Sequence, residues 1–302
     1  MSRLAVGVDI GGTTIKLGLV APDGQVRARH RLPYGTLRSF EDVADSLADA
    51  VRRMEAQAGR AAVLGIAAPG HAQPGDGVMV DGTRNVPLLK DRSLAEALTA
   101  RLALPFVTVN DGSAAALGEL HFGAGRGLAR FALITLGTGV GGGVVIARRL
   151  VTGDDGVPPE LGAMVLDDRQ GAPRTLEDFA SASGFIAAYE DRGGAPGCEP
   201  ADIFARAAAG DAAAGAALDA VCRRIAQGLG TLINALNLDA CLIGGGIAQA
   251  GAPLLERVHH HLPDFTWQFL LARTRVTLAA TGEDAGILGA ARLALERTAH
   301  SP

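Results

Sequence analysis

Apolar residues alternate with polar or small ones over residues 5–10, 15–20 and 26–32. This is the period-two pattern of strands. Gly11-Gly12 separates the first two runs and Pro22-Asp23-Gly24 the next two, so the chain opens as consecutive hairpins. A helical pattern covers residues 40–58. Ser39 is placed to cap it, and Asp42 three residues on makes an incomplete capping box. A strand at 62–67 runs into the Gly/Pro loop "APGHAQPGDGVMV", which ends in a short strand. A helix over 93–102, a strand over 106–109 and a helix from about Gly112 follow.

Around residues 123–130 the pattern restarts. "RFALITLGTGVGGGVVIARRL" again reads strand, glycine turn, strand, which suggests two halves of like topology. Helical patterns cover 176–190, 201–208 and 212–236, and "ACLIGGGIAQAG" reads strand, glycine loop, helix. A strand at 275–278 precedes a last helix at 285–297. Strands interleaved with helices argue an α/β fold of two lobes with an interlobe cleft. The boundary is expected near Gly112. Residues 1–111 with 286–302 form the N-terminal lobe, since the last helix crosses back, and 112–285 form the C-terminal lobe.

Composition narrows the function classes. The chain has 302 residues and a formal net charge of −4 with no long basic run, so neither nucleic acid nor a membrane surface is an expected partner. Its three cysteines, Cys198, Cys222 and Cys241, are scattered, which excludes a disulfide framework and a CxxC metal site. No signal peptide or membrane-length apolar run is visible, and a cytoplasmic protein is expected.

The candidate chemistry lies in three glycine loops, each after a strand: Gly11-Gly12-Thr13, Gly137-Thr138-Gly139 and Gly244-Gly245-Gly246. The first is neither a dinucleotide GxGxxG loop nor a Walker loop. Both of those open a helix, whereas here residues 14–20 continue as strand. Glycines let backbone N–H groups converge on an anion, and Thr13, Thr14 and Thr138 add hydroxyl donors. Any one loop can equally be only a tight turn. Three together, with hydroxyls, favour a polyphosphate gripped from two hairpins. Asp111 stands where a strand gives way to a helix. It can cap that helix, and as a carboxylate at the carboxyl end of a strand it can orient a substrate hydroxyl and accept its proton. The two roles are compatible.

Other features carry less. His259–His261 are consecutive on a helix and point in different directions, so they do not form a chelate. His121 reads as packing, His71 as a loop residue, and Trp267 as either core or a subunit contact.

The stretches "DIGGTTIKLGLV", "GIAAPG", "NDGSAAALGELHFGAG", "LGTGVGGGVV", "PELGAMV" and "LIGGGIA" resemble, in order and spacing, the ROK family of sugar kinases and related regulators. The resemblance spans nearly the whole chain. It implies the actin-like, ribonuclease H-like ATPase fold of hexokinases, with ATP, Mg²⁺ and a sugar meeting in the cleft, and a homodimer. By position it makes Asp111 the catalytic base toward the sugar's primary hydroxyl, and Asn85, Asn110, Glu160 and Glu177 sugar-binding. Asp9, Gly11, Gly12, Thr13, Thr14, Gly137, Thr138 and Gly139 fall on the phosphate and Mg²⁺ side, with Asp9 as the Mg²⁺ candidate. Gly244, Gly245 and Gly246 fall near the adenosine. The family's repressors carry a helix-turn-helix segment ahead of the first hairpin, and here the first strand begins within five residues of Met1.

Two departures stand out. Ala163 occupies the position of the family's motif histidine. The family's zinc cluster would span Asp168 to Glu177, but its cysteine positions hold Asp168, Gln170 and Thr175. No zinc is expected, because tetrahedral zinc needs thiolate, imidazole or carboxylate donors that these residues do not supply. A smaller, less polar wall at Ala163 also moves the expected substrate. Beside glucose, an amino sugar such as kanosamine or glucosamine, or a cyclitol, becomes a candidate. Polyphosphate is the alternative phosphoryl donor, and a non-catalytic sugar-sensing regulator the alternative class.

Overall fold

The computed structural model describes residues 3–73, 75–168 and 171–299. The chain forms two compact units. One comprises Met1–Arg126, Leu150–Pro158 and Glu283–Pro302, the other Gly127–Arg149 and Pro159–Gly282.

In the first unit the strands are β1 (Leu4–Ile10), β2 (Thr14–Val20), β3 (Val26–Pro33), β4 (Ala61–Ala68), β5 (His71–Ala72), β6 (Met79–Asp81) and β7 (Phe106–Asn110). The helices are α1 (Phe40–Ala58), α2 (Leu94–Leu102), α3 (Asp111–Phe122) and the C-terminal helix Ala285–Ala299. The main sheet runs β3-β2-β1-β4-β7. The opening meander is antiparallel, and β4 and β7 add in parallel to β1. Strand alternation sorts the core. Val6, Val8, Ile10, Leu64 and Ile66 face α1 and α2 through Val43, Leu47, Val51 and Leu98. Ala5, Val63 and Val107 face the C-terminal helix through Ile287, Leu288, Ala291 and Ala294. That helix lies very close to the sheet. A Cβ built on Gly7 would stand 2.0 Å from the Ile287 carbonyl oxygen, and one on Gly65 would stand 2.1 Å from that of Ala290. Ser39 caps α1 through the Asp42 N–H at 3.0 Å, as expected. Asp42, however, takes the N–H of Arg38 rather than that of Ser39, so the box closes one residue early. His71, expected in a loop, pairs with Asp81 in the short β5–β6 ribbon.

The second unit contains β8 (Phe131–Leu136), β9 (Val140–Ile146), β11 (Val165–Asp167), β12 (Arg174–Thr175), β13 (Ala240–Gly244) and β14 (Arg275–Leu278), and the two-residue β10 (Arg149–Leu150) spans its boundary with the first. Its helices are α4 (Leu176–Ala180), α5 (Ala182–Glu190), α6 (Pro200–Ala208), α7 (Ala212–Leu236), α8 (Ala252–His261) and α9 (Gln268–Leu271). Its sheet runs β10-β9-β8-β13-β14, with β8–β9 antiparallel and β13 and β14 added in parallel. This is the arrangement of the first sheet, so the echo heard in the two glycine hairpins extends to whole sheets.

Two expected helices change. The helical pattern over 176–190 breaks at Ser181, whose extended backbone ends α4 and whose hydroxyl caps α5 at the Gly184 N–H. The glycine loop after β13 enters a short 3₁₀ turn at Ile247–Ala250, and α8 begins only at Ala252 after Gly251 takes φ 70°. Trp267 is not core: it is 65% exposed and lies against Phe269. Among the described residues no helix is long and apolar enough to cross a membrane.

Candidate active site

Parallel strands deliver the acids of the first unit to one edge. Asp9 in β1 is level with Ala67 in β4, which is one residue from the pairing of Ala68 with Asn110 in β7. Asp9 and Asp111 thus stand at the carboxyl ends of parallel strands, where α/β sheets place their chemistry. Burial pushes the Asp9 carboxyl up to about 6, with Lys16 opposing and Asp111 adding to the shift. Lys16 is its cross-strand partner in the hairpin. Gly286 makes room for this buried carboxylate at the start of the C-terminal helix, since a Cβ there would lie 2.6 Å from Asp9 Cγ.

Asn110, not Asp111, is the cap of α3. Its Oδ1 accepts the Ser113 N–H at 3.1 Å, and its Nδ2 donates to the Gly70 carbonyl at 3.2 Å. Asp111 is the first helical residue, and its Oδ1 accepts the Gly112 N–H at 2.7 Å. Burial raises the Asp111 pKa, while the amide of Gly112 opposes the rise. The turn between β1 and β2 is closed by Gly11 N–H donating to the Thr14 carbonyl at 3.1 Å, and Gly12 and Thr13 are exposed at its tip. Asn85, in the 3₁₀ turn Thr83–Asn85, packs on Gly12, where a Cβ would meet the Asn85 carbonyl oxygen at 2.8 Å. Asp9, Gly11, Gly12, Thr13, Thr14, Asn85, Asn110 and Asp111 therefore cluster within one unit.

The second unit gathers the rest. The turn Gly137-Thr138-Gly139 between β8 and β9 is closed by Gly137 N–H donating to the Gly139 carbonyl at 3.0 Å, and Thr138 is exposed. Gly244 pairs with Thr135 across the parallel strands, which sets the Gly244–Gly246 loop beside the same edge. Gly245 has φ 85°, a left-handed conformation that suits glycine, and a Cβ there would strike the Leu136 carbonyl oxygen at 2.3 Å. Glu177 reaches from α4 to the turn, its Oε2 accepting the Val140 N–H at 2.8 Å. Glu160 directly precedes the 3₁₀ turn Leu161–Ala163, whose Gly162 packs on the Val140 carbonyl. Both glutamates thus sit at the start of β9.

The ROK family profile matches residues 5–297. This chain belongs to the ROK family. It is 32% identical to a glucokinase of Thermotoga maritima over 311 residues, covering 97% of each chain. It is 32% identical to an N-acetylmannosamine kinase of Escherichia coli over 301 residues, covering 97% of this chain and 98% of that one. The structure of a ROK glucokinase from Streptomyces griseus, in complex with glucose and AMPPNP, superposes with TM-score 0.80 at 27% identity, over 97% of this chain and 99% of that one. The fold is the actin-like ATPase fold that the sequence motifs implied.

Residues 163–177 include the positions where the resemblance implied a histidine and a zinc cluster. Ala163 offers no donor atom and is exposed. Thr175 is occupied with Asp178, which accepts both its N–H, at 2.7 Å, and its hydroxyl, at 2.9 Å. Gln170 lies outside the described residues. One carboxylate, Asp168, does not make a tetrahedral donor set, so zinc does not fit these residues.

Sequence reasoning missed what braces the segment instead. Arg224 of α7 donates to Asp167 Oδ2 at 2.7 Å and to the Leu166 carbonyl at 3.4 Å. Its guanidinium also lies 4.5 Å from the Phe179 ring centroid, and that of Arg174 lies 4.0 Å away. No local pattern marks such a cluster, because its members come from β11, β12, α4 and α7. The histidine run is divided as the helix geometry implied. His259 bonds the Val276 carbonyl and His261 bonds Asp219, each at 2.9 Å.

Proposed function

We propose that this chain is an ATP-dependent sugar kinase that phosphorylates the primary hydroxyl of a hexose or hexose-like substrate. The observation that carries this reading is the division of labour between neighbours. Asn110 takes the Ser113 N–H at the helix end, so the buried carboxylate of Asp111, which holds the Gly112 N–H, keeps acceptor capacity for a substrate hydroxyl. The family membership and the kinases among the relatives support the same reaction.

In this reading Asp111 orients the sugar hydroxyl and takes its proton as the oxygen attacks the γ-phosphorus. A pKa raised by burial makes it a better base than an exposed aspartate. In one unit the turn amides of Gly12 and Thr13 with the hydroxyls of Thr13 and Thr14, and in the other the amides of Thr138 and Gly139 with the Thr138 hydroxyl, are the groups that bind phosphate oxygens. Phosphoryl transfer asks mainly for such positioning and charge neutralisation. The Gly244–Gly246 loop lies toward the adenosine, and Asn85, Asn110, Glu160 and Glu177 bind sugar hydroxyls. A hard divalent cation suits the buried Asp9 carboxylate beside Asp111, whose charge it would compensate in place of a proton, since Mg²⁺ takes one or two carboxylates together with substrate phosphates. Bound there, Mg²⁺ would neutralise phosphate charge.

An amino sugar is the second reading of the substrate. It is favoured by Ala163 and by the equal identity to an N-acetylmannosamine kinase and to a glucokinase. A cytoplasmic homodimer belongs to the same proposal, and sedimentation of the purified protein tests the dimer. A coupled ADP-release assay over glucose, mannose, glucosamine, N-acetylmannosamine and a cyclitol, with ATP or polyphosphate as donor, tests the function. ADP release that depends on one of these sugars is the expected result, and none with any of them would refute the reading.

A further inference from the structure

Glu177 is exposed, yet its position is closely defined. It sits on α4, a helix of five residues, too short to hold itself. Four contacts fix that helix from outside. Thr175 and Asp178 form a reciprocal capping box. Leu176 is fully buried, and its N–H donates to the Met164 carbonyl at 2.8 Å. Phe179 lies under the guanidinium groups of Arg174 and Arg224, and Arg224 is itself tied to Asp167. Just past the helix, Ala182 N–H donates to the Gly137 carbonyl at 2.8 Å.

The glycine turn is therefore held on both flanks by this one segment: Gly137 by Ala182, and Val140 by the carboxylate of Glu177. Gly139 between them has no side chain to block the approach. A Cβ built on it would lie 2.6 Å from Glu177 Oε2. A charge-assisted bond to a backbone N–H is among the stronger kinds. It also leaves the N–H groups of Thr138 and Gly139 as the ones the turn presents.

We infer that Glu177 is a positioning residue of the nucleotide site, its carboxylate holding the Gly137–Gly139 turn in shape through the Val140 N–H. This rests on the reading of that turn as a phosphate grip. It gives Glu177 a task that is separate from any sugar contact and independent of whether sugar is present.

The test is the affinity of the full-length protein for AMPPNP, measured by calorimetry without sugar. Glu177→Ala removes the acceptor and is expected to weaken binding about tenfold, the scale of one charge-assisted hydrogen bond. Glu177→Gln keeps an acceptor oxygen and loses the charge next to the phosphate site, so it should bind within about twofold of the parent. Gly139→Ala pushes on the same carboxylate. A double-mutant cycle with Glu177→Ala should show clear non-additivity. Should Glu177→Ala fail to fold, Arg224→Met loosens α4 without touching the carboxylate and is expected to weaken AMPPNP binding severalfold. The inference is overturned if Glu177→Ala binds AMPPNP like the parent, or if Gln is no better than Ala. Parent protein that binds no AMPPNP would refute the kinase reading itself, a distinct outcome.

Discussion

Asn110 takes the cap of α3 by accepting the Ser113 N–H at 3.1 Å, and this frees its neighbour Asp111 from capping the helix that carries it. The pair divides between two residues the two roles that a lone aspartate at a helix start would combine. Asn110→Ala should therefore cost stability, about 1 kcal/mol for a lost cap. It should also lower activity, since Asn110 tethers the Gly70 loop as well. Asn110→Asp should keep most of the stability, because aspartate caps equally well, but should still lose activity through a second carboxylate beside the base. Urea denaturation alongside steady-state kinetics separates the two effects. Equal losses of stability in both variants would contradict the capping argument.

Asp9 sets a price in stability for function. Its folded pKa of about 6 lies above the unfolded value near 3.8. Between those values the native state holds a proton that the unfolded chain gives up. Stability is thus fully present below the lower value and declines as pH rises through the upper one, by about 2–3 kcal/mol in all. Asp9→Asn removes this slope. The unliganded variant should melt higher than the parent at pH 7.5, match it near pH 4, and lose turnover. A parent melting temperature independent of pH between 4 and 6.5, once the other carboxylates are controlled by the Asn variant, would contradict the assignment.

The acid limb of activity should carry Asp111 together with Asp9, and the Asp9→Asn variant isolates the Asp111 part in whatever turnover it keeps. The Asp111 pKa is raised by burial, so kcat/KM for the sugar should begin to fall at a pH above the ordinary carboxylate range near 4. A pH–rate profile that stays flat down to the ordinary carboxylate range would contradict a raised Asp111 as the base.

Gly7 and Gly65 predict a mechanical failure. Gly7→Ala drives a methyl group into the Ile287 carbonyl, 2.0 Å away in the present geometry. Overpacking against rigid backbone costs about 1–3 kcal/mol or more. Hydrogen exchange should show the loss first in the C-terminal helix, which lies on that face of the sheet. Uniform protection in the variant would contradict this.

Much of this architecture was legible in the sequence. Period-two runs and glycine turns marked both hairpins, because those signals are local and the turn chemistry is strict. The break at Ser181 was hidden because residues 176–190 keep helical apolar spacing. It is interrupted where Ser181 turns extended and caps α5 and Ala182 N–H reaches the Gly137 carbonyl. The sequence left Asp111 able to cap α3 because Asn and Asp cap equally well, and strand pairing decides which of two neighbours leaves the sheet last. Among site residues, the acids and loops stood out by type and position. The task of Glu177 toward Val140, and the bracing by Arg224, depend on side chains distant in sequence and had no local signature.

The most direct test of the central claim compares the parent and Asp111→Asn with ATP and the best sugar of the panel, following the products by ³¹P NMR. The account predicts ADP and a sugar phosphorylated on its primary hydroxyl in equal amounts from the parent. It predicts a fall in turnover of roughly 10² or more in the variant, with AMPPNP binding retained. Near-parental turnover by Asp111→Asn, or phosphate transfer to water rather than to the sugar in the parent, would contradict it.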